Sequence, residues 1–253
     1  MCTIIFSWQN HSDYSLILAA NRDEFYKRPT QPAHWWPESP NIFGGKDLIA
    51  GGTWMGVNKN GRFAALTNYR NLDLIDDKAP SRGRVTMDFL EGTMSPGQYL
   101  SDLHQSEISY NPYNLLVGDR NSLYYYSNIQ KEITELEPGI YGLSNGLLDD
   151  PWPKVVQGKA IFETQLKKED VELNQLMYFL TDKTEAPDDQ LPNTGVPYKM
   201  EKGLSALFIE MINYGTRCST GILINDQQIK FNEITYPVGD QKEQVVEETI
   251  FLT

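Results

Sequence analysis

The sequence predicts an α+β layered fold. Three observations carry the prediction: short apolar segments come in pairs around turn signals, helical periodicities fall between those pairs, and no internal repeat or low-complexity linker interrupts the chain. "TIIF" (3–6) and "LILAA" (16–20) read as buried strands joined by the polar "SWQNHSDYS". "TWMGV" (53–57) and "RFAALT" (62–67) flank Asn58-Lys59-Asn60-Gly61, a hairpin signal. A weak helical pattern covers residues 82–91. "YNLLVG" and "SLYYYS" then flank Asp119-Arg120-Asn121 as a further hairpin. Val155, Phe162 and Leu166 share one face of a helix beginning after Pro153, and Leu173, Leu176, Met177 and Leu180 follow the i, i+3, i+4, i+7 spacing. Leu204, Leu207, Phe208 and Met211 repeat that spacing and predict another helix, beyond the long loop "EAPDDQLPNTGVP", a candidate lid or rim. "GILIN" and "QIKFNE" close the chain with a hairpin around Asp226-Gln227. Hairpins imply antiparallel sheets, so the expectation is two stacked sheets between helix layers, with Cys2 at a sheet edge.

Composition narrows the function classes. With 34 acidic and 22 basic residues, the net charge of −12 argues against a general nucleic-acid surface. No stretch is long and apolar enough to predict a membrane span, and the N-terminus lacks the basic and apolar regions of a signal peptide. Cys2 and Cys218 form neither a disulfide framework nor a metal pair, and His11, His34 and His104 lack ligand spacing. The expectation is a cytoplasmic chain with no metal and no cofactor, reading as one domain over 1–253.

Five segments place polar groups at the ends of apolar runs. "ANRDEF" (20–25) puts Asn21, Arg22 and Asp23 at the end of the second strand. "GGTWMG" (51–56) is a glycine-eased bend with a tryptophan. "LTNY" (66–69) puts Asn68 at the end of a hairpin strand, and "YGLSNG" (141–146) does the same for Asn145. "YGTRCST" (214–220) sets Arg217 just before "GILI". Taken singly, each reads as a turn or a surface ion pair. Together they set Arg22, Asp23, Asn68, Asn145 and Arg217 beside strand ends in a chain whose second residue is cysteine.

These motifs in this order, "MCTIIF", "LILAANRDEFYKRP", "GGTWMGV", "GRFAALTNYR", "GIYGLSNGLLDDPWPK" and "YGTRCST", resemble the NRDE family, named for residues 21–24, whose eukaryotic members are called transport and Golgi organisation proteins. The resemblance runs from Met1 to about residue 224. The same order is distantly similar to the cysteine N-terminal-nucleophile (Ntn) amide hydrolases, such as bile salt hydrolases and penicillin V acylases. That similarity implies a four-layer αββα sandwich of two antiparallel sheets. It also implies catalytic roles for Cys2 as nucleophile, Arg22 and Asp23 beside the thiol, Asn68 in the pocket, Asn145 at the oxyanion and Arg217 as the late arginine. The acylases separate the Arg from the Asp by two residues, whereas Arg22 and Asp23 are adjacent.

The residue types suit this chemistry. An ordinary thiol titrates near 8.5 and an α-amine near 7.7–8.0, so an N-terminal cysteine carries its own base. The implied reaction is cleavage of a carbon–nitrogen amide bond in a small molecule. The alternative is a non-catalytic carrier, since relatives are associated with haem, lipid and acyl-CoA handling. Arg22, Lys27, Arg28, Arg70, Arg82, Arg84 and Lys154 would suit an acyl-CoA, whereas haem finds only Cys2 and three scattered histidines. Either activity needs a small-molecule partner. The amidase reading requires loss of Met1. Intact-mass measurement of the endogenous protein is expected to show a chain beginning at Cys2, and retention of Met1 throughout the population would remove the base.

Overall fold

The structure, a computed structural model, describes residues 2–168 and 170–252. The strands β1 (Cys2–Trp8) and β2 (Leu16–Phe25) form the first hairpin, β3 (Thr30–Trp36) and β4 (Ser39–Asp47) the second, and β5 (Met55–Asn58) and β6 (Phe63–Asn68) the third. Two helices follow, α1 (Gly83–Glu91) and α2 (Pro96–Gln105). Next come β7 (Tyr113–Gly118), β8 (Leu123–Ser127), β9 (Glu132–Glu135) and β10 (Gly139–Leu143), then α3 (Pro153–Leu166) and α4 (Leu173–Met177). After the long loop lie α5 (Tyr198–Gly203), β11 (Tyr214–Ile224), β12 (Gln228–Thr235) and β13 (Gln244–Phe251).

Every ladder between these strands is antiparallel. A six-stranded sheet has the order β10-β1-β2-β11-β12-β13, and a seven-stranded sheet runs β3 to β9 in sequence order. Alternation decides which side chains each face buries. Ile4, Phe6, Leu18, Ala20 and Ile222 point at Phe43, Met55, Phe63 and Ala65 of the other sheet. Ile5, Ile17, Ala19 and Leu223 point outward, onto Phe162, Leu176 and Leu180. The second sheet packs Ala64, Leu66, Leu115 and Val117 against Val85, Phe89 and Leu100 of α1 and α2. The layers are therefore helix, sheet, sheet, helix: an α+β four-layer αββα sandwich of antiparallel sheets.

Several elements depart from the sequence reading. β2 does not stop at Ala20 but continues to Phe25, so Asn21, Arg22 and Asp23 lie within the strand. β11 likewise begins at Tyr214 and includes Arg217, which is the extra residue of a bulge between Thr216 and Cys218 opposite β2. Cys2 ends a strand that β2 and β10 flank, not an edge strand. No helix covers 204–211. The helix ends at Gly203, and the following backbone bonds sideways to β11, with Thr216 N donating to Ile209 O and Met211 N to Tyr214 O. Leu204 and Leu207 are still buried, so the apolar spacing marked burial without a helix. β3, β4, β9 and β13 were not foreseen. Neither was α2, although Ser95 and Gln98 form its capping box.

One close approach fixes the second sheet's helix layer to the site. A Cβ on Gly52 would lie 2.5 Å from the carbonyl carbon of Gly83, the first residue of α1. Gly52→Ala is expected to lower stability by about 1–3 kcal/mol, the usual cost of overpacking a tight contact. An unchanged denaturation midpoint would contradict this packing.

Candidate active site

The register of the six-stranded sheet sets three residues in a row: Cys2 opposite Arg22, and Arg22 opposite Cys218. Directly opposed residues share a face, and this row lies on the face between the two sheets. There the sheets part into a cleft of about 640 Å³. Cys2, Arg22 and Asp23 line it from the first sheet, and Leu66 and Asn68 from β6. Thr53, Trp54, Arg82 and Gly83 complete the opposite wall.

The cations and acids at the cleft mouth are interleaved. Arg22 Nη2 lies 3.6 Å from Glu24 and 3.8 Å from Asp47, while Arg28 Nε donates to Asp47 Oδ2 at 2.6 Å. Burial works against Asp47, yet the Arg28 hydrogen bond holds its carboxyl below the usual range. Arg22 is almost fully buried, and its Nη1 finds no hydrogen-bond partner among the described residues.

Asp23 points to the helix side of the sheet, where Thr216 Oγ1 donates to its Oδ1 at 2.8 Å. Burial pushes its carboxyl up, and the Lys154 ammonium pulls it back. At the strand end the Asp23 backbone N–H also reaches the Cys2 sulfur. Burial pushes the Cys2 thiol up, the Asp23 charge adds to this, and Arg22 opposes it.

The six sequence candidates are thus partly gathered. Cys2, Arg22, Asp23 and Asn68 line one cleft. Asn145 is fully buried behind it, with Nδ2 donating to the Asn68 carbonyl at 2.7 Å and Oδ1 without a partner among the described residues. Asn145 itself lines a different cavity, alongside Arg70, Trp152 and Thr194. Arg217 does not line this cleft but borders a small cavity beside it, together with Arg22 and Asp47. Its Nη1 donates to the carbonyls of Phe25, Tyr26 and Arg28, at 3.1 Å for the last, and so fixes the turn that presents Arg28.

Sequence reasoning gave three participants no role and gave a fourth, Lys154, only a place among the cations suited to an acyl-CoA. Glu24 and Asp47 balance Arg22 and Arg28. Lys154 is buried beside Asp23. Glu201 is buried, pairs with Arg70 and accepts from Thr194 Oγ1 at 2.7 Å, pinning the long loop at the site's edge. The "E" of "NRDE" was the one available signal for Glu24. The other three come from distant segments, and only the fold brings them in. Among the described residues no three His, Cys, Asp or Glu side chains gather as a metal cluster.

Comparison with known proteins places the chain in a family. The Transport and Golgi organisation 2 model matches residues 1–237. The chain belongs to the Transport and Golgi organisation 2 family. It is 34% identical to the Transport and Golgi organization protein 2 homolog of Bos taurus over 255 residues, covering 92% of each chain. The Homo sapiens homolog gives the same identity and coverage. The Drosophila melanogaster protein is 31% identical, over 90% of this chain and 89% of its own. Among solved structures, a Caenorhabditis elegans N-acylethanolamine-hydrolyzing acid amidase ortholog aligns over 89% of this chain and 94% of that one, with a TM-score of 0.49 and 12% identity. A conjugated bile acid hydrolase from Clostridium perfringens aligns over 100% and 97%, with a TM-score of 0.45 and 11% identity. Among the described residues, no helix is long and apolar enough to cross a membrane.

The two thiols differ in access. Cys2 lines the wide cleft, whereas Cys218 borders only a cavity of about 20 Å³ and is pushed well up by burial and by Glu233. Iodoacetamide is expected to alkylate Cys2 first, at a rate that rises with pH because its thiol titrates above the ordinary range. Peptide mass spectrometry reads both sites, and faster labelling of Cys218 would contradict the geometry.

Proposed function

We propose that residues 1–253 act as one unit, an N-terminal-cysteine amidohydrolase that cleaves a non-peptide carbon–nitrogen bond of a small molecule. One observation carries the reading: Cys2 and Arg22 are cross-strand partners opening on the cleft that also holds Asp23 and Asn68. Once Met1 is removed, Cys2 bears a free α-amine at the strand end beside Asp23. The amine takes the thiol proton, helped by the positive charge of Arg22, and the thiolate attacks the substrate carbonyl. The amine leaving group departs with that proton, leaving a thioester that water hydrolyses.

The oxyanion falls to the Asn68 side-chain amide at the cleft wall, and Asn145 holds Asn68 from behind. Asn145 Nδ2 donates to the Asn68 carbonyl and so fixes the backbone that carries this amide. A fixed donor of this kind contributes about 3 kcal/mol to the transition state. Arg217 acts indirectly, by holding the turn that carries Arg28. Two unpaired cysteines fit a reducing, cytoplasmic setting.

A second reading has its own support. Arg22, Arg28 and Arg82 line the same cleft, which suits a carrier of an anionic lipid such as an acyl-CoA. The two readings separate on Cys2. With protein processed to Cys2 and a panel of acyl p-nitroanilides, Cys2→Ala is expected to abolish turnover while the thermal midpoint stays close to wild type. Binding of a fluorescent acyl-CoA that survives Cys2→Ala, with no turnover by the processed wild type, would favour the carrier.

A further inference from the structure

Two hydrogen bonds join the chain just past β10 to the chain at the end of β6. Arg70 N donates to the Asn145 carbonyl at 2.7 Å, and Asn145 Nδ2 donates to the Asn68 carbonyl at 2.7 Å. Asn145 therefore grips this segment at two points, two residues apart. β10 belongs to the six-stranded sheet and β6 to the seven-stranded one, so the clasp ties the two sheets together at the cleft wall that Asn68 lines. Asn68 is the last residue of β6 and pairs with Tyr113, and the ladder runs out as Tyr69 N donates to Pro112 O. Residues near a strand end fray unless contacts outside the ladder hold them, and the clasp is such a contact.

Arg70 is anchored in turn through its side chain. Its guanidinium pairs with Glu201 of α5 and lies 4.8 Å from the centre of the Trp152 ring, and both members of the pair are nine-tenths buried or more. Glu201 Oε1 meets Arg70, while Oε2 accepts from Thr194 Oγ1 at 2.7 Å and from Thr194 N at 3.3 Å. Thr194 belongs to the long loop, whose residues 192–195 share a cavity of about 440 Å³ with Asn145 and Trp152. Direct contacts thus run from the loop through Glu201, Arg70 and Asn145 to Asn68. A buried ion pair is a weak device for stability, because desolvation offsets much of its attraction, and well-packed apolar residues in its place often leave a protein as stable.

We propose that Glu201 is a positioning residue for the Asn68 amide: by holding Arg70 and Thr194 together it makes the 192–195 loop and the Asn68–Asn145 clasp one unit, so that the amide takes its place only with the loop seated on Glu201. This rests on the amidohydrolase reading for its purpose, although the coupling of loop to clasp stands without it. The ion pair then serves position more than stability. Position matters here because an oxyanion donor acts from about 3 Å, and a misplacement of about 1 Å is enough to slow a reaction strongly.

The test compares wild type with the double variant Arg70→Met/Glu201→Leu and with Thr194→Val and Thr194→Ser, all processed to Cys2. Hydrogen exchange read by mass spectrometry follows the peptides that carry 192–195 and 68–71, and an acyl p-nitroanilide gives kcat and KM. In the double variant the thermal midpoint is expected to stay close to wild type, because the buried charges leave as a pair. Both peptides exchange faster together, and kcat falls by about tenfold to a hundredfold with KM little changed. Iodoacetamide still alkylates Cys2 at the wild-type rate, which separates a displaced amide from a damaged nucleophile. Thr194→Val reproduces the exchange and kcat effects in smaller measure, and Thr194→Ser, which keeps the hydroxyl, shows neither. A folded double variant with unchanged kcat, or one whose loop exchanges faster while 68–71 does not, overturns the proposal and leaves hydrolysis intact. A wild type that turns over no amide, with the two peptides still loosening together in the variants, sinks the amidohydrolase reading and keeps the coupling. If the double variant fails to fold, Thr194→Val decides: joint loosening of both peptides supports the proposal, and loosening of the loop alone overturns it.

Discussion

The structure is organised around a polar segment that β2 carries into the interior. Asn21, Arg22 and Asp23 are nine-tenths buried or more, in the middle of a six-stranded sheet. Buried polar groups need partners, and each of these draws them from a different part of the chain. Asn21 donates to the carbonyls of Leu180 and Leu207 at 2.8 and 2.9 Å and accepts from Ser219. Arg22 is met by Glu24 and Asp47, and Asp23 by Thr216. The irregular backbone around 180 and 204–209, the bulge at Arg217 and the end of β4 therefore serve one strand. Substituting Asn21 would orphan two carbonyls at once, which makes it a structural residue more than a chemical one.

This explains how much was legible in the sequence. The hairpins around Asn58–Gly61, Asp119–Asn121 and Asp226–Gln227 were readable because turn residues and strand alternation are local signals. The strand extents were not. "NRDE" looks like a loop by composition, since a charged tetrapeptide rarely sits inside a buried strand. It is one here because β11 supplies a matching polar run, Thr216 to Thr220, directly opposite. The helix expected over 204–211 failed for the same reason: its spacing recorded burial, and its backbone was claimed by the start of β11. Of the site, Cys2, Arg22, Asp23 and Asn68 were reachable from motif order. Asn145 was reachable as a residue, but its position behind Asn68 depends on how the β10 turn meets the end of β6. Glu201 carried no local signal, because a glutamate on a short helix reads as surface, and Lys154 read only as one of several cations for an anionic ligand, not as a buried charge.

The charges around the cleft form two groups on opposite faces of the first sheet. Between the sheets, Arg22 and Arg28 interlock with Glu24 and Asp47 and leave the positive charge of Arg22 beside the thiol. On the helix side, Asp23 and Lys154 lie close to the Arg70–Glu201 pair, which ties down the loop at Thr194. Cys2 sits at the end of its strand, where both groups act on it. A nucleophile with its own amine needs that arrangement: a cation to favour thiolate on one side and an anion to hold the amine on the other. A carrier would need the cleft and its arginines, but would have no use for an anion buried beside the thiol.

Trapping the covalent intermediate tests this account most directly. Protein processed to Cys2 would be mixed with an acyl p-nitroanilide, quenched in acid within one turnover, digested and read by mass spectrometry. The account predicts an acyl thioester on the N-terminal peptide at Cys2, formed in step with release of the aniline. Aniline release with no acyl group on Cys2, or a bound but uncleaved amide, would contradict it.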